Sequence, residues 1–385
     1  MLKKIISVLI LCALLAASML VATGEKAEEA HNAAAGASFG GDFGFEILEQ
    51  LYVAGENTVF SPVSLKIALA MAADGAKGDT LEEMLAAMNI ASTDEIISSV
   101  PEDIHSANAA FTSGNAPLYR EYINRLNDAY GAEWFEIDEN VVDKANKWAN
   151  KNTNGLIDPL LTEKPDPMTG LILMNAVAME ADWQLPFYES GVRQDIFHAP
   201  DGDVEVDMMH QTEYFHYAEK DGVQIIRLPY VDSDLSMYVM LPQEGGIAEL
   251  AGILSEQGSA FFTEGLEKRE VLIGMPKVDI SDENGLNEAL KLLGVEKAFT
   301  GEANFSGMSE VPMYIAEIFQ KARIQIDESG TSAAASTVIT MMAMAMPPSQ
   351  ELPPEMIMNR PFAFAIADDA GAVCFAGIIE NPAAE

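Results

Sequence analysis

Basic residues are scarce in this chain. Twenty-two Lys and Arg stand against 60 Asp and Glu, giving a net charge of −38 at pH 7. A polyanion of this kind repels nucleic acid and anionic membrane surfaces, so neither is expected as a partner. No cluster of Lys or Arg offers a seat for a polyanionic cofactor such as heparin. Cysteine is scarcer still: Cys12 and Cys374 are the only two. Cys12 falls in an N-terminal export signal, which leaves Cys374 as the single cysteine of the processed chain. The core alone must then stabilise the fold, with no internal disulfide. Catalytic signatures are missing as well. There is no H-E-x-x-H, no P-loop and no G-x-G-x-x-G. The five histidines, His31, His105, His198, His210 and His216, show no metal-ligand spacing. Acidic pairs such as Asp368-Asp369 are too common in so acidic a chain to mark a site. An enzyme, a metal centre and a bound cofactor are therefore not expected.

What is present is ordinary globular material, 385 residues at 49% hydrophobic and 21% charged. Lys3 and Lys4 precede an apolar run from Ile5 to Ala22, and small residues lead to Gly24-Glu25. This order spells an export signal over residues 1–24, and a secreted protein. The run is close to spanning length, so a retained membrane anchor is the competing reading. Residues 25–42, rich in Ala, Gly and Glu, read as a flexible tether. From Phe43 to the C-terminus no linker or repeat interrupts the chain, so residues 43–385 read as one domain. Apolar spacing predicts helices over Ser64–Asp74, stopped by Gly75, and over Leu286–Leu293, stopped by Gly294. Strands are expected over 170–181, 223–230, 235–241, 271–280, 323–327, 362–367 and 372–379. Helices and strands without βαβ alternation argue for an α+β fold.

The most informative stretch runs from Ile326 to Phe362, IDESGTSAAASTVITMMAMAMPPSQELPPEMIMNRPF. It starts at the end of a strand, and Gly330 is placed to act as a pivot. Thr331, Ser332, Ala333, Ala334, Ala335, Ser336 and Thr337 follow, all small and uncharged. Val338, Ile339 and Thr340 favour strands, and no proline intervenes before Pro347. In an extended strand Thr331, Ala333, Ala335 and Thr337 share one face. All four are small enough to enter beneath a packed layer. The segment thus reads as a loop able to become the middle strand of a sheet. Its composition also fits an ordinary Ala/Ser-rich surface loop, or part of an amphipathic helix.

Further motifs lie along the chain in a fixed order. They are NTVFSPVS at Asn57–Ser64, NKWANKNTNGLI at Asn146–Ile157, and NAVAMEADWQLPF at Asn175–Phe187. LPY at 228–230 and LSMYVMLP at 235–242 come next, followed by Pro276-Lys277, FSGM at Phe305–Met308, NRPF at Asn359–Phe362, Phe375–Gly377 and Asn381-Pro382. Singly each is weak. Together, and in this order, they resemble the serpin family over nearly the whole domain. The resemblance implies a single domain of three β-sheets and about nine helices, with an exposed reactive-centre loop, here about residues 328–354. It implies a monomer whose partner is a serine-type protease, captured as a covalent acyl complex. The protease attacks the bait bond, and the cleaved loop then enters the central sheet as a new strand, the recurring example of strand addition and released strain. The hinge, Glu328 with Gly330 to Thr337, resembles that of inhibitory members. Ser61, Ser64, Asn175, Trp183 and Gln320 match the positions that govern sheet opening.

Two departures stand out. Gln320 occupies a position where the family often has histidine, and Glu180-Ala181 replaces a common Lys-Gly before Trp183. Counting fourteen residues on from Gly330 selects Met344, and the bait bond Met344–Ala345. Counting back from Asn359–Phe362 selects Gln350–Glu351 instead, as though the loop carried six extra residues. That register would force Pro347 and Pro348 into the new strand, where proline forfeits ladder hydrogen bonds. Met342–Ala343 and Met346–Pro347 are the neighbouring candidates, the latter blocked by its proline. A methionine bait suits the apolar primary pockets of elastase-, chymotrypsin- or subtilisin-like enzymes. Oxidation to the sulfoxide would make that bait polar. A serpin-fold binding protein without inhibition is the second reading of the same motifs.

Overall fold

Ser61 and Pro62 begin the helix around which the domain is organised. The Ser61 hydroxyl accepts the Ser64 N–H at 3.2 Å, and Pro62 fills the first turn, where its missing N–H is no loss. The helix runs Pro62–Ala73, two residues earlier than the apolar spacing alone predicts, and Asp74 closes it. Nearly every residue on it is buried, so its apolar side chains surround the axis instead of forming one stripe.

The structure, a computed structural model, describes residues 41–97, 105–155, 157, 159–165, 169–179, 181–316, 318–331 and 352–384. Among these residues are nine α-helices and sixteen strands in three sheets, an α+β domain. The largest sheet has nine strands. Thr58–Phe60, Val373–Ile379, Phe362–Asp368, Leu235–Pro242, Val223–Pro229, Gly202–Lys220, Glu267–Pro276 and Glu355–Ile357 lie side by side, and Val192–Ala199 pairs with Gly202–Lys220. A four-stranded sheet has the order Val278–Gly285, Phe319–Ile326, Gly330–Thr331, Ala181–Asp182. A three-stranded sheet has the order Glu133–Glu136, His105–Thr112, Leu171–Ala178.

The expected strand over 271–280 is in fact two strands in different sheets. Glu267–Pro276 ends at Pro276, and Val278–Gly285 begins a new sheet after Lys277. Proline removes the ladder donor at the junction, and the Lys277 N–H turns to Asp207 O at 2.9 Å. The nineteen-residue strand Gly202–Lys220 escapes the sequence reading because charged residues alternate with its buried ones. The main core packs Phe362–Asp368 and Val373–Ile379, buried on both faces, beneath helices Gly41–Leu51 and Ile247–Gln257. A second apolar cluster lies under helix Val141–Asn152, where Phe111 stacks on Phe135 at 4.8 Å between ring centres.

Candidate functional site

The hinge is built by one aspartate. Strand Phe319–Ile326 ends at Asp327, whose Oδ1 accepts the N–H groups of Ser329 at 2.7 Å and Gly330 at 3.2 Å. The Asp327 N–H in turn donates to Gly330 O at 3.1 Å. These bonds fold the chain back so that Gly330–Thr331 runs antiparallel to the strand it has just left, with Thr331 opposite Ile326. On its other side the same pair is antiparallel to Ala181–Asp182. Two hinge residues are thus already the start of a strand between two others.

Gly330 is required here for space rather than for a pivot. Its φ lies outside the left-handed region, but a Cβ would sit 2.1 Å from Ala181 O and 2.8 Å from Asp182 Cα. Thr331 is buried at 4% exposure, and its hydroxyl lies 2.6 Å from that of Tyr230. The Tyr230 hydroxyl is pushed well above the usual phenol range by burial, so it stays a neutral partner. Thr331 heads the small-residue face read from the sequence, and it does point into the packed layer.

Trp183 belongs to this hinge. Its indole stacks on Tyr230 with ring centres 4.8 Å apart, its Nε1–H donates to Asp327 O at 3.0 Å, and its backbone N–H donates to Ser329 O at 2.8 Å. The Phe187 N–H holds Glu328 O at 2.9 Å. The Glu328 carboxylate pairs with Lys277 at 2.6 Å. Burial raises its pKa, but the hydrogen bond and charge of Lys277 outweigh that and hold it below the usual range.

Below the hinge, a second group of residues converges on the start of helix Pro62–Ala73. Gln320 Oε1 accepts the Ser61 N–H at 2.7 Å, and its Nε2 donates to Ser61 O at 3.0 Å. The Ser61 hydroxyl donates to Cys374 O at 2.7 Å. The Ser64 hydroxyl donates to Asn175 Oδ1. Asn175 Nδ2 donates to Asn108 Oδ1 at 2.7 Å, and Asn108 Nδ2 to Tyr130 O at 2.8 Å. Sequence reasoning found Ser61, Ser64, Asn175 and Gln320, and the fold unites them. It missed Asn108, which lies in none of the quoted motifs, and gave no role to Tyr230 and Lys277, which stand within LPY and Pro276-Lys277. Trp183, grouped with these four in the sequence, packs against the hinge at Asp327 and Tyr230.

Helix Pro62–Ala73 therefore touches two strands of different sheets, Leu171–Ala178 through Asn175 and Phe319–Ile326 through Gln320. Leu171–Ala178 pairs along one edge with His105–Thr112, and Phe319–Ile326 pairs along one edge with Val278–Gly285. Among the described residues their other edges have no partner except at the top, where Thr331 meets Ile326. Ala181–Asp182, two residues beyond Leu171–Ala178 in the chain, forms the far side of that top. The two edges thus bound a slot that Gly330–Thr331 enters. Lys321 Nζ spans toward the other side, donating to Pro159 O at 3.0 Å. The remaining hinge residues, Ser332, Ala333, Ala334, Ala335, Ser336 and Thr337, and the bait pair Met344 and Ala345, lie outside the described residues. No group of acidic, His or Cys side chains among the described residues is arranged to hold a metal.

Comparison with known proteins agrees with this geometry. A family model described as serpin (serine protease inhibitor) matches residues 40–382. An uncharacterized serpin-like protein of Thermococcus kodakarensis is 32% identical, over 88% of this chain and 84% of its own length. Plasminogen activator inhibitor 1 of Sus scrofa is 29% identical, over 96% of this chain and 98% of its own. Among solved structures, the thermophilic serpin tengpin in its native state aligns with this chain at a TM-score of 0.79, with 29% identity over 88% of this chain and 92% of that one.

Proposed function

We propose that this chain, which belongs to the serpin family, is a suicide-substrate inhibitor of serine-type endopeptidases with apolar primary pockets. The observation that carries the reading is the two-sided pairing of Gly330–Thr331 at the mouth of the slot. A strand with partners on both sides gains ladder bonds that an edge strand lacks, so further entry of the loop is downhill once the loop is free to move. Relatives that include an inhibitor of plasminogen activator support the same class of activity.

The steps balance as follows. The protease serine attacks the Met344 carbonyl, and its proton passes through the protease's own base to the departing amine. The Met344–Ala345 bond breaks, Ala345 becomes a new N-terminus, and Met344 is left as an ester on the serine. Before cleavage the loop is strung between Thr331 and the strand Glu355–Ile357, and cannot enter further. After cleavage the Thr331 side is free to continue between Leu171–Ala178 and Phe319–Ile326. It carries the ester-linked protease with it, and distortion of the enzyme prevents hydrolysis of the ester. Asn175 and Gln320 are each bonded to the start of helix Pro62–Ala73, Asn175 through Ser64 and Gln320 through Ser61. The export signal read from residues 1–24 supports an activity outside the cell.

Mixing the chain with elastase, chymotrypsin or subtilisin tests the proposal on a denaturing gel. A band at the summed mass, with release of a fragment beginning at Ala345, is expected. Cleavage at that bond with no covalent band would overturn the trapping mechanism and leave a binding protein of the same fold.

A further inference from the structure

Two groups of elements border the slot. On one side, strand Phe319–Ile326 and helix Pro62–Ala73 are tied to the main core. Gln320 bonds both backbone groups of Ser61, and the Ser61 hydroxyl bonds Cys374 O on strand Val373–Ile379. On the other side lie strands Leu171–Ala178, His105–Thr112 and Glu133–Glu136. Helix Arg120–Tyr130 belongs to this second side. It leads through Gly131 into Glu133–Glu136, and its last carbonyl, Tyr130 O, accepts Asn108 Nδ2 at 2.8 Å. A carbonyl at a helix end needs such a partner from outside the helix.

Tyr130 sets the direction of the bonds that follow. A carbonyl only accepts, so Asn108 turns its amide nitrogen to Tyr130 and its oxygen to Asn175. Asn175 then gives its nitrogen to Asn108 Oδ1 at 2.7 Å, and its own oxygen takes the Ser64 hydroxyl. The side chain of Tyr130 meanwhile reaches the other end of helix Pro62–Ala73, where its hydroxyl donates to Asp74 Oδ2 at 2.9 Å. Arg125 Nε donates to the same oxygen at 2.8 Å, and the Thr93 hydroxyl to Asp74 Oδ1 at 2.6 Å. Three residues earlier on that helix, Met71 O accepts the hydroxyl of buried Tyr122 at 2.7 Å. Burial and the charge of Asp74 push both phenols above their usual range, so they remain donors.

The spacing of the two sides is visible at the mouth of the slot. Gly330–Thr331 lies between Phe319–Ile326 and Ala181–Asp182, so the two sides stand two strand spacings apart, about 9–10 Å. We propose that Tyr122 and Tyr130 are positioning residues that hold the slot one strand wide. The Ser64–Asn175 bond alone would be a pivot about which Leu171–Ala178 could swing. Attachment at Met71 and Asp74 as well fixes the second side at both ends of helix Pro62–Ala73, and a body held at two separated points cannot turn about either. The effect of this spacing on protease trapping rests on the inhibitory reading above, whereas the spacing itself does not.

Two amides report the width of the mouth. The Trp183 N–H donates to Ser329 O at 2.8 Å and the Phe187 N–H to Glu328 O at 2.9 Å, both from the far side to the hinge. Hydrogen exchange at these amides is compared in the full, uncleaved parent, in Tyr122→Phe, in Tyr130→Phe and in the double variant. Phenylalanine keeps the ring and removes only the hydroxyl. In the double variant the Trp183 and Phe187 amides are expected to exchange about tenfold faster, with smaller rises in the single variants, while the amides of Val373–Ile379 keep the parent's rates. Tyr52→Phe also loses one phenol bond, to Glu380 Oε1 at 2.8 Å, and should leave Trp183 and Phe187 unchanged. If the double variant folds poorly, the two single variants carry the same comparison. Parental exchange at both amides in the variants would overturn the proposal, and so would an equal rise in Tyr52→Phe or a rise shared by Val373–Ile379. Mixed with elastase, the double variant should trap a several-fold smaller fraction of the enzyme than the parent does. A parent that traps nothing, with exchange as expected, would overturn the inhibitory reading and leave the spacing role in place.

Discussion

Gly330 and Glu328 show how much of the hinge rests on single side chains. A Cβ at Gly330 would collide with backbone on the facing strand, 2.1 Å from Ala181 O, and backbone cannot move aside as a flexible side chain can. Gly330→Ala should therefore expel Gly330–Thr331 from the slot while leaving the main core alone. The yield of covalent protease complex should fall several-fold, cleavage of the loop should continue, and the melting temperature of the uncleaved chain should change little. An unchanged yield would show that docking at this point does not matter. Glu328 makes a prediction in pH. Its carboxyl is held below its usual value by Lys277, so the folded state binds that proton more weakly than the unfolded state does. The stabilisation is complete above the ordinary carboxylate range and is lost as pH falls through the lowered folded value. Both partners are partly open to water, so its size is about 1 kcal/mol or less. In urea titrations Lys277→Met should be less stable than the parent at pH 7, and the difference should vanish as acidification carries the pH below the lowered value of Glu328. A difference that grows with acid would contradict the sign.

Helix Pro62–Ala73 and the strands it touches show what the sequence could reveal and what it could not. The helix was legible because the apolar run over Ser64–Asp74 and the stop at Gly75 are local signals, although the cap at Ser61 and Pro62 went unread. The convergence of Ser64 with Asn175 and of Ser61 with Gln320 is not local: those pairs are separated by 111 and 259 residues. Only the order of motifs pointed to it. Gln320 looked like a departure that put sheet opening in doubt, yet its amide makes the bonds the position demands, one accepted and one donated. Nothing in the alternation of residues 271–280 announced that Pro276-Lys277 divides two sheets, because strand-favouring apolar residues stand on both sides of it. The Asp327 turn was missed for a related reason. Aspartate before a Ser-Gly pair is a common loop sequence, and its role depends on where Ala181–Asp182 lies. Gln320→Ala would leave the Ser61 N–H and C=O buried without these partners, a loss of about 1–3 kcal/mol. Urea unfolding of the uncleaved chain should show a lower midpoint with an unchanged slope. Gln320→His should recover part of the loss at pH 8 and less of it near pH 5.5, where an imidazole gains charge. Full stability of Gln320→Ala would mean that the Ser61 backbone finds other partners.

At the scale of the whole molecule, the domain has a well-packed core beside two strand edges that lack partners along most of their length among the described residues. The nine-stranded sheet and both apolar clusters provide the stability of the fold, and with Cys374 as the only cysteine among the described residues no disulfide contributes there. The slot between Leu171–Ala178 and Phe319–Ile326 is different. Its edges, among the described residues, offer backbone donors and acceptors to a further strand, and on the proposed mechanism the connection to Glu355–Ile357 limits entry while the loop is intact. Cutting the loop removes that restraint without removing any residue. If the small residues Ser332 to Thr337 then enter, each ladder bond gained adds on the order of 1 kcal/mol, and small side chains avoid overpacking the layer above them. Several such bonds should raise the melting temperature by on the order of 10 °C or more. The measurement is a thermal melt before and after nicking by a protease that the chain does not trap. A cleaved chain that melts with or below the intact one would mean that the slot does not accept the loop, and the trapping mechanism would fall with it. A large rise combined with no covalent complex would instead place the fault in timing: the ester would be hydrolysed before the strand has moved the enzyme, and Gly330 and Thr331, which start the insertion, would be the residues to vary next.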